Sequence, residues 1–267
     1  MSSDLIIAQL SDPHVLEPGA VEFVDNNAML RLVVESLNAE AVQPTVVLGT
    51  GDLTCWGRER QYQELADILA PLNAPFLAMV GNHDDRSFMR ETFPDTPWAD
   101  AEHASWVHEF DGITLIGLDS TSPGRHGPTF DADRQAWLEN ALATASSPVI
   151  LAMHHPPFES GIDWMDADGA LGRNELRQTI SGSPAIVLRI LSGHLHRPIV
   201  TTFAGVTASV CPATTYHVAL DLEPAAKPRV VRDPRGYQLH LISDANVLTH
   251  TRYIDTGEAP FDPEWND

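Results

Sequence analysis

Leu5-Ile6-Ile7-Ala8-Gln9-Leu10-Ser11-Asp12-Pro13-His14 shows in miniature the pattern that organises the chain: a short, partly β-branched apolar run that breaks into small and polar residues. Such a run reads as a buried strand with a polar loop at its end. The pattern recurs. Thr45-Val46-Val47-Leu48-Gly49 runs into Thr50-Gly51-Asp52, and Pro75-Phe76-Leu77-Ala78-Met79-Val80 into Gly81-Asn82-His83-Asp84. Ile113 to Leu118 leads to Asp119-Ser120, Val149 to Met153 to His154-His155-Pro156, and Ile186 to Leu191 to Ser192-Gly193-His194-Leu195-His196.

Between the first three runs the apolar period changes to that of a helix, roughly over Val21 to Ala39, with Met29, Leu30, Val33, Val34 and Leu37 on one side, and over Arg58 to Leu69. A further helix is expected from about Asp131 to Ala143, carrying Trp137, Leu138 and Leu142. Alternating strands and helices favour layered α/β architecture with much parallel pairing. From Pro198 on the pattern changes to short β-like runs, Val200 to Phe203, Val206 to Val210, Val218 to Leu222, Tyr237 to Ile242 and Val247 to Ile254. The expected division is a core over 1–200 and a segment over 201–267 that completes a second sheet and forms a partly irregular, β-rich C-terminal cap.

With 267 residues and 43% hydrophobic content, the chain can bury one sizeable core without splitting into independent folds. Lys and Arg number 16 against 37 Asp and Glu, and the formal charge of −21 opposes binding to a nucleic acid polymer or an anionic membrane where no basic patch exists. No patch of that kind is present in the sequence. The N-terminal residues lack the basic and long apolar stretches of a signal peptide or a membrane span, so the cytoplasm is the expected location. Cys55 and Cys211 are too few for a disulfide framework and lack paired zinc spacing; they read as free thiols, with a single bridge still open.

The polar bursts carry the chemistry, because loops at the C-terminal edge of a parallel sheet converge from several strands. Asp12 and His14 offer a carboxylate and an imidazole two residues apart, although an Asp in that position is often just a turn former. Gly51-Asp52 pairs a residue without a side chain with a carboxylate able to bridge two cations. Gly81-Asn82-His83-Asp84 crowds an amide, an imidazole and a carboxylate onto one loop, where a helix N-cap is the competing reading. His154-His155-Pro156-Pro157 alone could be a rigid exposed turn. Gly193-His194-Leu195-His196 places two imidazoles beside a glycine and is the strongest single signal. Taken together, one sheet edge gathering Asp12, His14, Asp52, Asn82, His154, His194 and His196 points to a two-metal site.

This ordered set resembles that of the calcineurin-like metallophosphoesterase superfamily. His154-His155-Pro156-Pro157-Phe158 and the Gln135-Ala136-Trp137-Leu138-Glu139 helix are similar to those of class III cyclic nucleotide phosphodiesterases and related glycerophosphodiesterases, and Phe23-Val24-Asp25-Asn26-Asn27-Ala28 is closer to the latter branch. The resemblance spans about residues 4 to 217. It implies a β-sandwich flanked by helices, an α/β/β/α fold. It also implies one metal on Asp12, His14, Asp52 and His196, and another on Asp52, Asn82, His154 and His194, with Asp52 as the bridge. His83 would contact the phosphate and protonate the leaving alkoxide, while His155 is an adjacent alternative to His154. Asp119 and His217 are candidates for supporting the site or touching substrate, each with an equally good packing or turn role. Trp164, Met165 and Phe158 could line an ester pocket or simply pack.

The expected activity is hydrolysis of small phosphodiesters, 3',5'-cyclic nucleotides or glycerophosphodiesters, by in-line attack of metal-held hydroxide. No Gly-x-Ser-x-Gly elbow suggests a covalent route. A phosphomonoesterase or protein phosphatase is the competing enzyme class, and a metal-stabilised scaffold without catalysis the competing non-enzyme. Asp, His and Asn ligands accept iron, manganese, zinc or cobalt. The family resemblance and the β-rich tail also suggest a homodimer or higher homo-oligomer.

Overall fold

The structure is a computed structural model describing residues 5–254 apart from 111, 244 and 245. Its strands are β1 (Leu5–Leu10), β2 (Val46–Gly49), β3 (Phe76–Ala78), β4 (Trp106–Phe110), β5 (Ile113–Leu118), β6 (Val149–Met153), β7 (Val187–Ser192), β8 (Ile199–Phe203), β9 (Val206–Val210), β10 (His217–Val218), β11 (Val230–Val231), β12 (Gly236–Ser243) and β13 (Asn246–Tyr253). Its helices are α1 (Asn26–Asn38), α2 (Glu59–Leu69), α3 (Arg86–Thr92), α4 (Ala132–Thr144), α5 (Asp163–Asp166) and α6 (Arg173–Ser181).

The strands form a sheet in the order β13-β12-β1-β2-β3, a second in the order β4-β5-β6-β7-β9-β8, and a small ribbon of β10 and β11. Pairing is parallel among β1, β2 and β3 and among β5, β6, β7 and β9, with antiparallel strands added outside them. Parallel strands are buried on both faces, which is why their sequences run apolar without alternation. β1 shows this: Ala8 and Leu10 pack with Leu30, Val33 and Leu65 of α1 and α2, while Leu5 and Ile7 face Leu115, Ile150 and Leu191 of the second sheet. The outer face of that sheet is covered by α4 and α6 through Leu138, Leu142, Leu176 and Ile180. The layers are therefore helix, sheet, sheet, helix, as the sequence resemblance implies.

Several elements depart from the sequence reading. α1 begins at Asn26 rather than Val21, because Asp25 caps it by accepting from Ala28 N at 3.0 Å. Asn27 then ties the preceding loop to the helix through Leu16 N and O, each at 3.0 Å. Apart from the β10–β11 ribbon, the strands of the tail are divided between the two large sheets. β8 and β9 complete the second sheet, whereas β12 and β13 extend the first, with β12 antiparallel to β1. Of the run Val218 to Leu222 only Val218 is paired, and Leu220 and Leu222 are exposed. Residue 200 lies inside β8, and 255–267 of the expected cap fall outside the described residues.

Trp106 ties the two sheets together. Its ring is fully buried, its Nε1 donates to Ala78 O at 2.8 Å across the sandwich, and a Cβ on Gly117 would meet the ring at 2.3 Å.

Candidate metal centre

Because β1, β2, β3, β6 and β7 all run parallel within their sheets, their C-terminal ends present loops at one end of the sandwich. β1 delivers Asp12 and His14, β2 Asp52, β3 Asn82 and His83, β6 His154, and β7 His194 and His196. The loops are stitched together by their backbones: Asp12 N donates to Gly51 O at 3.2 Å and His14 N to Asp52 O at 3.0 Å.

Asp12, His14, Asp52, His194 and His196 have φ of 53°, 43°, 49°, 68° and 54°. They are five of the seven described non-glycine residues with positive φ, the others being Ala204 and Ala225. Each such residue costs on the order of 1–3 kcal/mol and persists only where its surroundings hold it, which is characteristic of functional sites. The neighbouring glycines are equally constrained. A Cβ on Gly193 would meet Ser11 Oγ at 2.0 Å, and one on Gly81 would meet Asp52 Oδ1 at 2.1 Å and Asp52 N at 2.2 Å. Gly81→Ala must therefore displace Asp52. We expect it to weaken metal binding while lowering stability by about 1–3 kcal/mol, the range for overpacking, as read by metal titration beside thermal melting.

The side chains converge. His196 Nε2 is 3.4 Å from Asp12 Oδ1 and 3.1 Å from His14 Nε2, which is itself 3.7 Å from Asp52 Oδ2. His154 Nε2 lies 3.4 Å from Asp52 Oδ1 and 3.2 Å from Asn82 Oδ1. Ligand atoms of Asp12, His14 and His196 all fall within 4.8 Å of one another, as do those of Asp12, Asp52 and His154, and those of His154, His155 and His194. His154 Nδ1 donates to Thr50 O at 2.8 Å and His196 Nδ1 to Tyr216 O at 2.9 Å, which turns each Nε2 inward, where the neutral ring would offer its lone pair to a metal. Imidazole nitrogens and carboxylate oxygens facing one another without an intervening cationic side chain fit divalent or trivalent metal ions.

Electrostatics agree with that chemistry. Burial would raise Asp12, but the charge and hydrogen bond of His196 bring it down to about 2. Asp52 is likewise held well below the carboxylate range, its burial outweighed by His154. Burial drives His14 and His194 down to about 3, leaving both neutral. His154 behaves oppositely: burial would lower it, yet Asp52 lifts it to about 9.

His83 shares the loop but has a different aspect. Its Nδ1 meets Cys55 O at 2.8 Å, its Nε2 lies 4.0 Å from Asp52 Oδ2, and the ring is partly exposed to the cavity. Asp84 fixes the loop by accepting from Gly81 N, Leu53 N and Thr54 N at 2.9 to 3.0 Å. His155 is occupied at both ring nitrogens, by Ser120 Oγ at 2.9 Å and His126 O at 2.7 Å. Asp119 accepts from Arg86 Nε at 2.7 Å and Ala104 N at 2.8 Å, a loop-fastening arrangement. His217 is buried, pushed down to about 4 by burial and His196, and its neighbour Tyr216 reaches the cavity instead.

Above the cluster opens a cavity of about 400 Å³, walled by Phe23, His126, Trp164, Met165, Tyr216 and Val230. Trp164 and Met165 line it as the sequence suggested, while Phe158 packs against the core of the second sheet. His126 and Tyr216 escaped the sequence reading. His126 sits 3.4 Å from Asn82 Nδ2 but lies in a Gly- and Pro-rich loop without periodicity. Tyr216 lies next to His217 and carries no side chain of the usual metal-ligand type.

A family model described as calcineurin-like phosphoesterase matches residues 5–198. The chain belongs to the calcineurin-like phosphoesterase family. Among its relatives, a protein named probable glycerophosphodiester phosphodiesterase GpdQ from Arcobacter nitrofigilis is 32% identical over 98% of each chain. A cAMP/cGMP dual specificity phosphodiesterase from Mycobacterium tuberculosis is 33% identical over 80% of this chain and 68% of its own. A dimetal phosphatase from Danio rerio, 11% identical, shares the fold with a TM-score of 0.68 over 94% of this chain and 96% of that one. This calcineurin-like phosphoesterase is a hydrolytic, metal-binding enzyme. None of its described helices is long and apolar enough to cross a membrane.

Proposed function

We propose that the enzyme is a dinuclear metal-dependent phosphodiesterase acting on small diesters, 3',5'-cyclic nucleotides or glycerophosphodiesters. The observation that carries this reading is the lining of the cavity: the Asp52 carboxylate and imidazoles at its floor, aromatic and aliphatic walls, and, among the described residues, neither Lys nor Arg. A diester is a monoanion with two alcohol groups, one of which can lie against an apolar wall. A monoester dianion would need a further cation, and Asp168 at the rim adds negative charge instead. The names of the two relatives, both phosphodiesterases, support the same class.

In this reading Asp12, His14, Asp52 and His196 would hold one ion, and Asp52, Asn82, His154 and His194 the other. The ions, drawn from iron, manganese, zinc or cobalt, would neutralise the phosphate and lower the pKa of water. His83, with Nδ1–H committed to Cys55 O, leaves Nε2 open to the cavity, and as the imidazolium, with a proton on each nitrogen, would give the Nε2 proton to the leaving alkoxide and become neutral. Asp52 would be shared by the two ions and, by accepting from His83 N at 2.9 Å, fixes that loop. The walls exclude water from the ester side. Cytoplasmic location and a homodimer joined through 201–267 belong to the same proposal, the latter checked by light scattering.

The test is hydrolysis of bis-p-nitrophenyl phosphate against p-nitrophenyl phosphate after reconstitution with Mn, Zn, Co or Fe, followed by a panel of cyclic nucleotides and glycerophosphodiesters. Preference for the diester, abolished by EDTA, is expected. Preference for the monoester would replace this reading with a phosphomonoesterase, and loaded protein without turnover would leave a scaffold.

Metal uptake should also release a proton. In the metal-free protein His154 is protonated below about 9, and ligation requires the neutral ring. Apparent affinity should therefore rise with pH up to about 9, with proton release measurable at pH 7 by calorimetry in buffers of different ionisation enthalpy. The same raised value means that His154 stabilises the metal-free fold fully below its ordinary 6.5 and ceases to do so as pH climbs through about 9.

A further inference from the structure

The layer between the two sheets is largely apolar, but Arg189 of β7 donates to Val247 O of β13, and a second polar group sits at the end nearest the metal centre. There Gln9 lies on the β1 face that carries Leu5 and Ile7, and it is fully buried. Its Nε2 donates to Thr50 Oγ1 at 2.9 Å and across the sandwich to Ser192 O at 3.0 Å. With both N–H groups spent, Oε1 must accept, and it faces His240 Nε2 of β12 at 3.1 Å. His240 is also fully buried, and burial pushes it down to about 3, so the ring is neutral. Its Nε2 carries the proton, leaving Nδ1 to accept from Thr249 Oγ1 of β13 at 2.9 Å. The direction of every bond in the chain is thus determined.

Gln9 and the two residues that its amide N–H groups reach, Thr50 and Ser192, each stand just ahead of a ligand loop. Gln9 precedes Ser11-Asp12, Thr50 precedes Gly51-Asp52, and Ser192 precedes Gly193-His194. Thr50 additionally supplies the carbonyl that orients His154. Apolar contacts between the sheets fix volume but not register, which is left to polar bonds that cross the sandwich, these and those of His154 Nδ1 to Thr50 O and Trp106 Nε1 to Ala78 O among them.

We propose that Gln9 and His240 are a positioning pair that sets the spacing of the Asp12, Asp52 and His194 loops, and hence the metal affinity of the centre. This rests on the two-metal reading above. Neither residue touches substrate or metal; both act through the loops.

A positioning role and a merely structural one predict different orders among variants. Gln9→Leu alone orphans the His240 N–H, and His240→Leu alone orphans Gln9 Oε1, so each single variant should melt well below wild type. In the double variant those orphans vanish: Thr50 Oγ1 keeps its bond to Leu10 O at 3.3 Å and Ser192 O keeps that from Cys211 N at 2.9 Å. The double variant should therefore recover melting temperature toward wild type. Its manganese affinity, measured by calorimetry, should nevertheless stay about 10- to 100-fold weaker, the loss typical of removing groups that orient ligands. The exchange-coupled Mn–Mn signal in electron paramagnetic resonance should weaken with it. His240→Gln, which keeps an N–H toward Gln9, should restore both. A double variant with wild-type affinity and signal overturns the pairing while leaving the two-metal reading intact. Wild-type protein that takes up no manganese overturns both.

Discussion

Asp52→Ala is expected to abolish turnover and both metals together. Asp52 is the side chain the two proposed coordination sets share, with Oδ1 toward His154 and Oδ2 toward His14. Its loss should exceed the ~10–100-fold that follows removal of an outer partner, and elemental analysis should find less than one ion per chain. The carboxylate is fully desolvated and also accepts from His83 N, so the substitution loosens that loop as well. A variant that retained two ions would show that Asp52 is not the bridge.

His83→Ala should separate chemistry from metal binding. Full metal content is expected together with a kcat lower by about 10²–10⁴-fold, the usual contribution of a general acid. The loss should be greatest for alkyl diesters, whose alkoxides leave poorly, and small for p-nitrophenyl diesters, which need little protonation. Equal losses on both substrates would assign His83 to phosphate binding rather than proton transfer.

The sequence was legible where the physics is local. β1, β5, β6 and β9 occupy the residues expected of them, because a buried parallel strand must be apolar on both faces and must end where its loop turns polar. The glycines beside Asp52, Asn82 and His194 marked places where backbone and ligand approach closely, and the structure brings those residues to a single cluster. What escaped notice depends on distant partners. Trp106–Phe110 is an edge strand defined by β5, and α6 is a largely polar helix whose Leu176 and Ile180 are too sparse to announce a face. Nothing between Val200 and Ile254 says which sheet a strand will join, since pairing between strands distant in sequence is settled by packing. His126 and Tyr216 enter the cavity through loop geometry, and no spacing rule foretells that.

The pairing of β1 with β12 has a consequence for how the protein is made. During synthesis β1 leaves the ribosome long before the partner that flanks it, so its outer edge stays open while the remaining strands emerge. Such an edge can template wrong pairings. Nascent chains arrested ahead of Gly236 should accordingly be protease-sensitive and sticky, and a burst of protection should accompany release of the β12–β13 hairpin.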